Sequence, residues 1–596
     1  MKRVSHKRRS FLLIVLLAFV GLSAYTSVAA DASGGSLSTD CFRSRASGDW
    51  GTQWTWESST NCTFSDAITA TLVPTSAAGS VSIQSGHTVT ISGPQSASSL
   101  TISGTLNPAS STLTITGAWT NNGTFLWGSQ AACSTVVFAG STDQSITGSS
   151  ATQTFCNFTV NKSGGTLTVG GSVTTVTLNG NVLLTSGTFN TTGKTVQAGL
   201  DWTNNGGTYI GGVTLFNFSG SGNVFVNGSA TIQTFTEMRI MGAIRRFGGS
   251  LSTLNIGDLT INGGTFVSSP LLIINISGHI GGSGGPFVAD TSTVTFNGTN
   301  QSVSGSLASP YNFNNLTIND TSLTMNLNTS VAGVLQLENG IVDHPGRTFT
   351  ISGAVTRTNG YVLNGVSYRI SATGTYLAPV GTANGYSPVT LNVTGLTTNP
   401  TTLVVTPLQS RDPSPSMPVD ALNRRWTISG GSGITADLTF GYMATDLPTG
   451  NNEAGYTVIR TSGTFLKYPV DCSGSPAVGT ACVDPATHTA RVVGVDPVGT
   501  WTVGAASSPT SAGVSVSGRV FGLEGRGATN ASVTLIDAAG IRHTIMTDRL
   551  GQFTFEDVPA GATYTVTVTA RRFSYATRVV AINDNVTSLD FTPAEP

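Results

Sequence analysis

The sequence predicts an all-β protein in which a β-solenoid of stacked coils precedes β-sandwich domains. Three observations lead there. An internal repeat of near eighty residues runs through the first half. Short runs alternate apolar and polar residues and end at Gly or Asn-Gly. The 596 residues are only 10% charged and include 72 Gly, a composition short of the Ala, Glu, Lys, Leu and Arg that long helices use. The 28 basic and 29 acidic residues nearly cancel. This balance argues against nucleic acid as a partner, which needs clustered Lys and Arg to neutralise phosphates.

Residues 1–30 are expected to be an export signal rather than part of the fold. Lys2, Arg3, Lys7, Arg8 and Arg9 precede an apolar stretch from Phe11 to Ala24, and Val28-Ala29-Ala30 suits cleavage before Asp31. The apolar stretch is shorter than the roughly 20 residues a membrane span needs. Arg8-Arg9-Ser10-Phe11-Leu12 also fits the twin-arginine pattern, so both export routes stay open. No later segment has transmembrane length. The expected location is therefore secreted or cell-surface, in a bacterium.

Six cysteines follow, Cys41, Cys62, Cys133, Cys156, Cys472 and Cys482. In an exported chain they read as disulfides. Fifteen pairings are possible; the sequence-local one closes the shortest loops and is preferred. No CxxC occurs and the five later histidines are scattered, so no metal and no cofactor is expected.

The repeat is read from ordered blocks. Val136-Val137-Phe138-Ala139-Gly140, Gln144-Ser145-Ile146-Thr147-Gly148 and Phe155-Cys156-Asn157-Phe158-Thr159-Val160 form one copy. Val294-Thr295-Phe296-Asn297-Gly298, Gln301-Ser302-Val303-Ser304-Gly305 and Phe313-Asn314-Asn315-Leu316-Thr317-Ile318 form another. A weaker copy holds Phe216-Asn217-Phe218 and Phe235-Thr236-Glu237-Met238-Arg239-Ile240. Trp119-Thr120-Asn121-Asn122-Gly123 returns as Trp202-Thr203-Asn204-Asn205-Gly206. Within each copy, runs such as Leu113-Thr114-Ile115 and Leu259-Thr260-Ile261 have the period of half-buried strands. Short strands, regular turns and a long repeat predict about a dozen coils of about 20–25 residues over 67–352. Only 12 charged residues lie in 67–340, so the open ends of such a stack need covering. Residues 31–66, with Trp50, Trp54 and Trp56 between Cys41 and Cys62, are the expected N-terminal cap.

Ser47-Gly48-Asp49-Trp50, Thr55-Trp56 and Ser85-Gly86-His87-Thr88-Val89-Thr90 resemble the opening of secreted bacterial β-strand-repeat proteins. The Trp-Thr-Asn-Asn-Gly and Phe-Asn-Asn-Leu-Thr-Ile elements resemble their repeat body. This resemblance covers about 41–352 and implies a right-handed parallel β-helix on or outside the cell.

After 353 the repeat fades, and Pro at 379, 388, 400, 407, 413, 415 and 418 suits a solenoid poorly. Residues 353–504 are expected to form a β-sandwich-like domain, with room for a last coil at its start. Arg424-Arg425-Trp426 reads there as a strand with one buried Trp and exposed guanidinium groups. Residues 505–513 form a linker by composition. The segment 514–596 holds 7 Arg, no Lys and 8 acidic residues. Its blocks Ser517-Gly518-Arg519-Val520, Ala531-Ser532-Val533-Thr534-Leu535, Asp548-Arg549-Leu550-Gly551-Gln552-Phe553-Thr554-Phe555 and Val558-Pro559-Ala560-Gly561 resemble the carboxypeptidase regulatory-like domain. That implies a prealbumin-like β-sandwich and a non-catalytic accessory module. Asp548 and Gly551 are expected to make a turn, with Phe553 and Phe555 facing one core.

Catalytic signals are weak. Gly281-Gly282-Ser283-Gly284-Gly285 fits G-x-S-x-G but lacks the strand–turn–helix setting of a nucleophile elbow. Gly187…Gly193-Lys194-Thr195 misses the phosphate-loop spacing by one residue and has no following helix. Glu237, Arg239, Arg245 and Arg246 form the densest charged segment. Glu237 and Arg239 share a strand face at spacing two, which suits a uronate or a plain surface ion pair. Trp119, Phe125, Trp127, Trp202 and Tyr209 could stack on sugars or fill the coils. The candidate ligand surface is thus Trp119, Trp127, Trp202, Tyr209, Glu237 and Arg239; no catalytic residue is assigned. The expected function is structural or adhesive, non-enzymatic, with extracellular polysaccharide or cell-surface proteins as partners. A carbohydrate-binding protein is the first rival, a polysaccharide lyase or glycosidase the second.

Overall fold

Alternation of inward apolar and outward polar residues winds the first part of the chain into stacked coils. The computed structural model describes residues 35–129, 131–306, 311–448, 453–506, 513–537 and 540–594; for 218–222 it describes the backbone alone. The expected export signal and most of the expected linker lie outside the described residues. The described chain is all β apart from four short 3₁₀ turns. It divides into two compact units, up to Val173 and from Thr174.

In the first unit each coil contributes strands to three parallel stacks. One runs Val81–Ile83, Leu100–Ile102, Trp119–Asn121, Gln144–Gly148. The second runs Gln95–Ala97, Thr112–Ile115, Thr135–Gly140, Asn157–Val169. The third runs Gly48–Asp49, Thr88–Thr90, Thr105–Asn107, Thr124–Phe125. Register sets the size of the coil: Val81 faces Leu100, Leu100 faces Trp119, and Trp119 faces Ile146. Inward positions Val89, Leu106, Leu113, Ile115, Val136 and Phe138 are fully buried, the period-two burial expected of strands with one wet face.

The first coil is covered by a hairpin. Cys41–Ser44 pairs antiparallel with Trp56–Ser59 and parallel with Val81–Ile83. Trp50 and Trp56 are fully buried beneath it, edge to face at 5.0 Å. A disulfide joins Cys41 to Cys62, and another joins Cys133 to Cys156.

In the second unit parallel pairing continues from Thr175–Leu178 onward. Phe216 faces Ile240, Ile240 faces Ile261, and the column Ile256, Ile276, Phe296, Ile318, Leu337 follows. Coils this close leave no room at some corners. Gly340, at φ +78°, is one: a Cβ there would stand 1.8 Å from the Asp320 carbonyl oxygen.

Parallel pairing passes residue 352 and reaches Val362–Val380 and Leu363–Gly381. One coil face does not end but changes direction. Tyr311–Phe313, Thr329–Val331, Phe349–Ile351 and Val366–Ile370 stack in parallel. Val366–Ile370 then pairs antiparallel with Thr401–Leu408, which leads through Arg425–Gly430 and Gly499–Ala505 to Tyr456–Arg460. With Leu466–Lys467 added beside Tyr456–Arg460, nine strands form a single sheet shared by solenoid and sandwich. A second sheet of Gly374–Ala378, Val389–Leu396, Ile434–Gly441, Thr489–Val495 and Ala481–Asp484 packs against it. Trp426, Phe440 and Trp501 fill the space between, with ring centroids 5.0 and 5.8 Å apart. The third disulfide, Cys472–Cys482, lies in this domain.

The C-terminal domain is a small sandwich. Gly513–Arg519 pairs with Gln552–Pro559, and Arg542–Met546, Ser532–Ile536, Ala562–Ala570 and Arg578–Ile582 form the facing sheet. Phe553 and Phe555 are buried in its core with Val516, Leu535 and Phe591. The Asp548 carboxylate accepts the Leu550 and Gln552 amides, and Gly551 at φ +73° closes the turn.

Candidate ligand surface

The aromatic residues of the repeat turn inward. Trp119 is fully buried and packs on Phe125, Phe138 and Phe155 at centroid distances of 5.0, 6.3 and 5.2 Å. Trp202 repeats the arrangement with Tyr209, Phe216 and Phe235 at 4.8, 6.2 and 5.6 Å. The third copy places Phe287, Phe296 and Phe313 alike, with fully buried Ile280 at the tryptophan position. Trp119, Trp202 and Tyr209 therefore offer no face to a sugar, and their expected place on a ligand surface is corrected. Edge-to-face packing within a widened coil is what these rings do. The Tyr209 hydroxyl lies between the Thr191 and Thr214 hydroxyls, at 3.1 and 2.9 Å, and burial pushes its phenol above the ordinary range. Trp127 alone of these aromatics is partly exposed, beside the hairpin of Gly128–Ser129 and Ala132–Cys133.

The charged segment separates into two roles. Glu237 and Arg239 pair with each other at 2.5 Å on the outer face, their side chains 25% and 47% exposed. A surface pair of this kind contributes little to stability. Arg245 is instead an interior clamp. Its guanidinium donates to the carbonyls of Leu200, Ala198 and Gly199 at 2.8, 3.1 and 3.2 Å and lies 4.9 Å over the Phe216 ring. Burial lowers its pKa to about 10, against the opposing pull of Asp201.

Lys194, from the near-miss phosphate loop, lines a groove of about 570 Å³ with Gly193, Gly211, Gly212 and Glu237. The Glu237 carboxylate makes this a poor cradle for phosphate. Ser283 donates to the Asn262 side-chain oxygen at 3.1 Å, as a coil turn would, and no base partners it. Among the described residues no group of three or more His, Cys, Asp or Glu could hold a metal ion.

Two buried polar systems were not legible as such. In the sandwich, Arg424 and Asp446 form an ion pair at 2.5 Å, both side chains wholly buried. Arg424 also donates to Ser387 at 2.8 Å and to Gln409. The expected exposed guanidinium is thus corrected for Arg424; Arg425 remains partly exposed, near Asp412. In the coils, Gln144 donates its side-chain amide to the Ile115 and Gly117 carbonyls at 3.0 and 2.8 Å. Gln301 repeats this on Ile276 and Gly278. The repeated Gln-Ser-x-x-Gly block carries that signal. Lys162, nearly fully buried, donates to the Gln144 side chain at 2.6 Å and the Thr142 carbonyl at 2.8 Å; burial lowers its pKa.

Outside the coils of the second unit runs an uncharged column. Thr234, Asn255, Asn275, Thr295, Thr317, Gln336 and Thr356 face one another coil by coil, Thr317 buried and the other six at least partly exposed. Asn275 donates its amide to Asn255 at 2.9 Å, and Asn255 to Thr234 at 3.3 Å. Beside it stand Ile232, Thr253, Ile273, Thr293 and Asn315, with Ile232 and Ile273 exposed.

Residues 515–593 match the family model of the carboxypeptidase regulatory-like domain. The β-sandwich found there agrees with that module. Among solved structures, the chain is similar to the group B streptococcus pilus 2b backbone protein, with 12% identity over 35% of this chain and 98% of that one, at a TM-score of 0.13. It is also similar to the T6 backbone pilin of serotype M6 Streptococcus pyogenes, with 9% identity over 33% and 62%, at a TM-score of 0.14. At such scores the likeness carries no argument about this chain. No curated protein matches the sequence.

Proposed function

We propose that this chain is a non-catalytic structural or adhesive protein of the bacterial cell surface or its surrounding matrix. The observation that carries the reading is the seven-rung uncharged column from Thr234 to Thr356. It is a flat, repetitive face held by a coil stack. Rungs about 4.8 Å apart repeat hydroxyl and amide groups, and all but the buried Thr317 offer them at the surface. Such a face suits many weak contacts rather than one deep site. The six cysteines all lie in disulfides, which supports an oxidising destination, and the basic, apolar start of the sequence supports export. No helix among the described residues is long and apolar enough to cross a membrane.

The test puts charge on the column. Purified protein carrying Asn275→Asp and Thr295→Lys is compared with the unaltered chain for retention on intact cells of the source bacterium and on its extracted matrix. The reading expects retention to fall by about tenfold or more, as desolvated charges oppose a neutral contact. Equal retention of both proteins would refute it.

A further inference from the structure

The C-terminal domain carries a cleft of about 700 Å³, within the size range of ligand sites. Its lining is unusual in its order along the chain. One wall is residues 542–545 and the other residues 554–559, each an unbroken run. A cleft over the face of a strand meets alternate residues. One lined by consecutive residues runs along a strand's edge.

The pairing agrees. Arg542–Met546 pairs with Ser532–Ile536 on one side, and among the described residues no strand pairs with its other side. Among the described residues Gln552–Pro559 pairs only with Gly513–Arg519. These two edges differ. The second is broken by a register shift at Val514/Val516, opposite Asp557 at φ +58°, the kind of bulge that blocks strand addition. The Arg542–Met546 edge has regular pairing, no Pro and no Lys. Beneath the cleft lie Leu535 and Tyr564, core residues of the domain. At its rim the carboxylates of Asp537, Glu556 and Asp557 stand against the one guanidinium of Arg542.

We propose that this cleft binds an extended polypeptide segment as an added strand on Arg542–Met546. The partner's inward side chains, at every second position, are apolar and extend the core over Leu535 and Tyr564. Its outward positions carry basic residues, matched to the acidic rim. Main-chain hydrogen bonds supply affinity and the alternate side chains supply selectivity. The site is independent of the uncharged column, so charging that column leaves it intact.

The experiment uses the full chain after the signal and two synthetic octapeptides that alternate valine with threonine. One carries two arginines in threonine positions, the other two glutamates. Amide hydrogen exchange is followed by mass spectrometry. The arginine peptide at about 1 mM is expected to slow exchange across 542–546 by about tenfold, the factor for a site about 90% filled. The glutamate peptide should leave it unchanged. Thr544→Pro should abolish the effect. Where that variant also loosens Ser532–Ile536, the pair Glu556→Lys with Asp557→Lys replaces it and should reverse the preference between peptides. No slowing with the arginine peptide, or equal slowing with both, overturns the proposal. So does slow exchange at 542–546 without peptide in a protein that sediments as a dimer, because a second copy then fills the cleft.

Discussion

Replacing Arg424 by methionine leaves the Asp446 carboxylate buried without its counter-charge. In the native sandwich that carboxylate receives Arg424 through two nitrogens, at 2.5 and 3.1 Å, Gln409 at 2.8 Å and the Met443 amide at 2.9 Å. Both charged side chains are 0% exposed, so water replaces nothing that is removed. Breaking such a pair from one side costs about 3–5 kcal/mol. At a urea slope of about 2–3 kcal/mol per molar, the unfolding midpoint should fall by roughly 1–2.5 M. Exchange of the Arg425–Gly430 amides during the titration reports on the sheet that carries Arg424. The double variant Arg424→Met/Asp446→Leu should recover about 2 kcal/mol or more of that loss, since removing both charges also removes the stranded one. It should not recover everything, because Ser387 and Gln409 lose a partner. A cost below about 1 kcal/mol for the single variant would refute the reasoning. So would a double variant whose cost is the sum of the two singles, since the groups would then act independently.

Three smaller perturbations follow from the same structure. Hydroxyls of Ser59 and Thr60 hold the Asp66 carboxyl down to about 2; the folded-state pKa is the lower one, so this stabilisation is present above about pH 4 and is lost as pH falls towards 2. Protection across 59–66, taken against the intrinsic exchange rate at each pH, should therefore fall in that window in the native chain, and Asp66→Asn should flatten the dependence. Tyr209→Phe removes a hydroxyl held between Thr191 and Thr214 and should lower the stability of the Thr208–Asn227 strand by about 1–2 kcal/mol, read as faster amide exchange there. Glu237→Gln breaks only the outer pair with Arg239, so its unfolding free energy from urea titration should match the native chain to within about 0.5 kcal/mol; a larger loss would show that the pair is integral to the coil.

The stacked coils were legible because their information is local and repeated. Inward positions such as Leu113 and Ile115 recur with period two, and Phe138 and Phe296 anchor equivalent strands of separate copies. The paired blocks around Gln144 and Gln301 showed equivalence without showing purpose. Only the fold reveals that each amide closes two carbonyls of the preceding coil. Aromatic spacing was ambiguous for a physical reason. A ring repeated once per copy looks the same in sequence whether it lines a groove or fills a widened coil. Its strand parity decides, and Trp119 shares the inward parity of Leu100. The Arg424–Asp446 pair could not be foreseen, because its partners lie 22 residues apart on separate elements and neither belongs to a repeat.

A parallel stack has no natural end, since its last strand offers the same donors and acceptors as every strand before it. In the first unit Cys41–Ser44 closes the stack by turning one edge to Val81–Ile83 and the other to the antiparallel Trp56–Ser59. In the second unit Val366–Ile370 does the corresponding work for that unit's own stack, taking Phe349–Ile351 in parallel and Thr401–Leu408 in antiparallel. This explains the prolines clustered from 379 to 418. Pro379 belongs to the last parallel rung, where its carbonyl accepts from Val362; the prolines after it suit another coil poorly and suit the edges and connections of a sandwich, where Pro407 sits within Thr401–Leu408. The sandwich is therefore the terminator of the solenoid as well as a domain in its own right. Charging the last coil face should not expose a new edge, whereas Val404→Pro should, by removing a donor from Thr401–Leu408. The consequence to measure is concentration-dependent self-association of Val404→Pro by sedimentation velocity. A variant that stays monomeric while its Val366–Ile370 amides exchange freely would show that the antiparallel strand is not what keeps the stack finite.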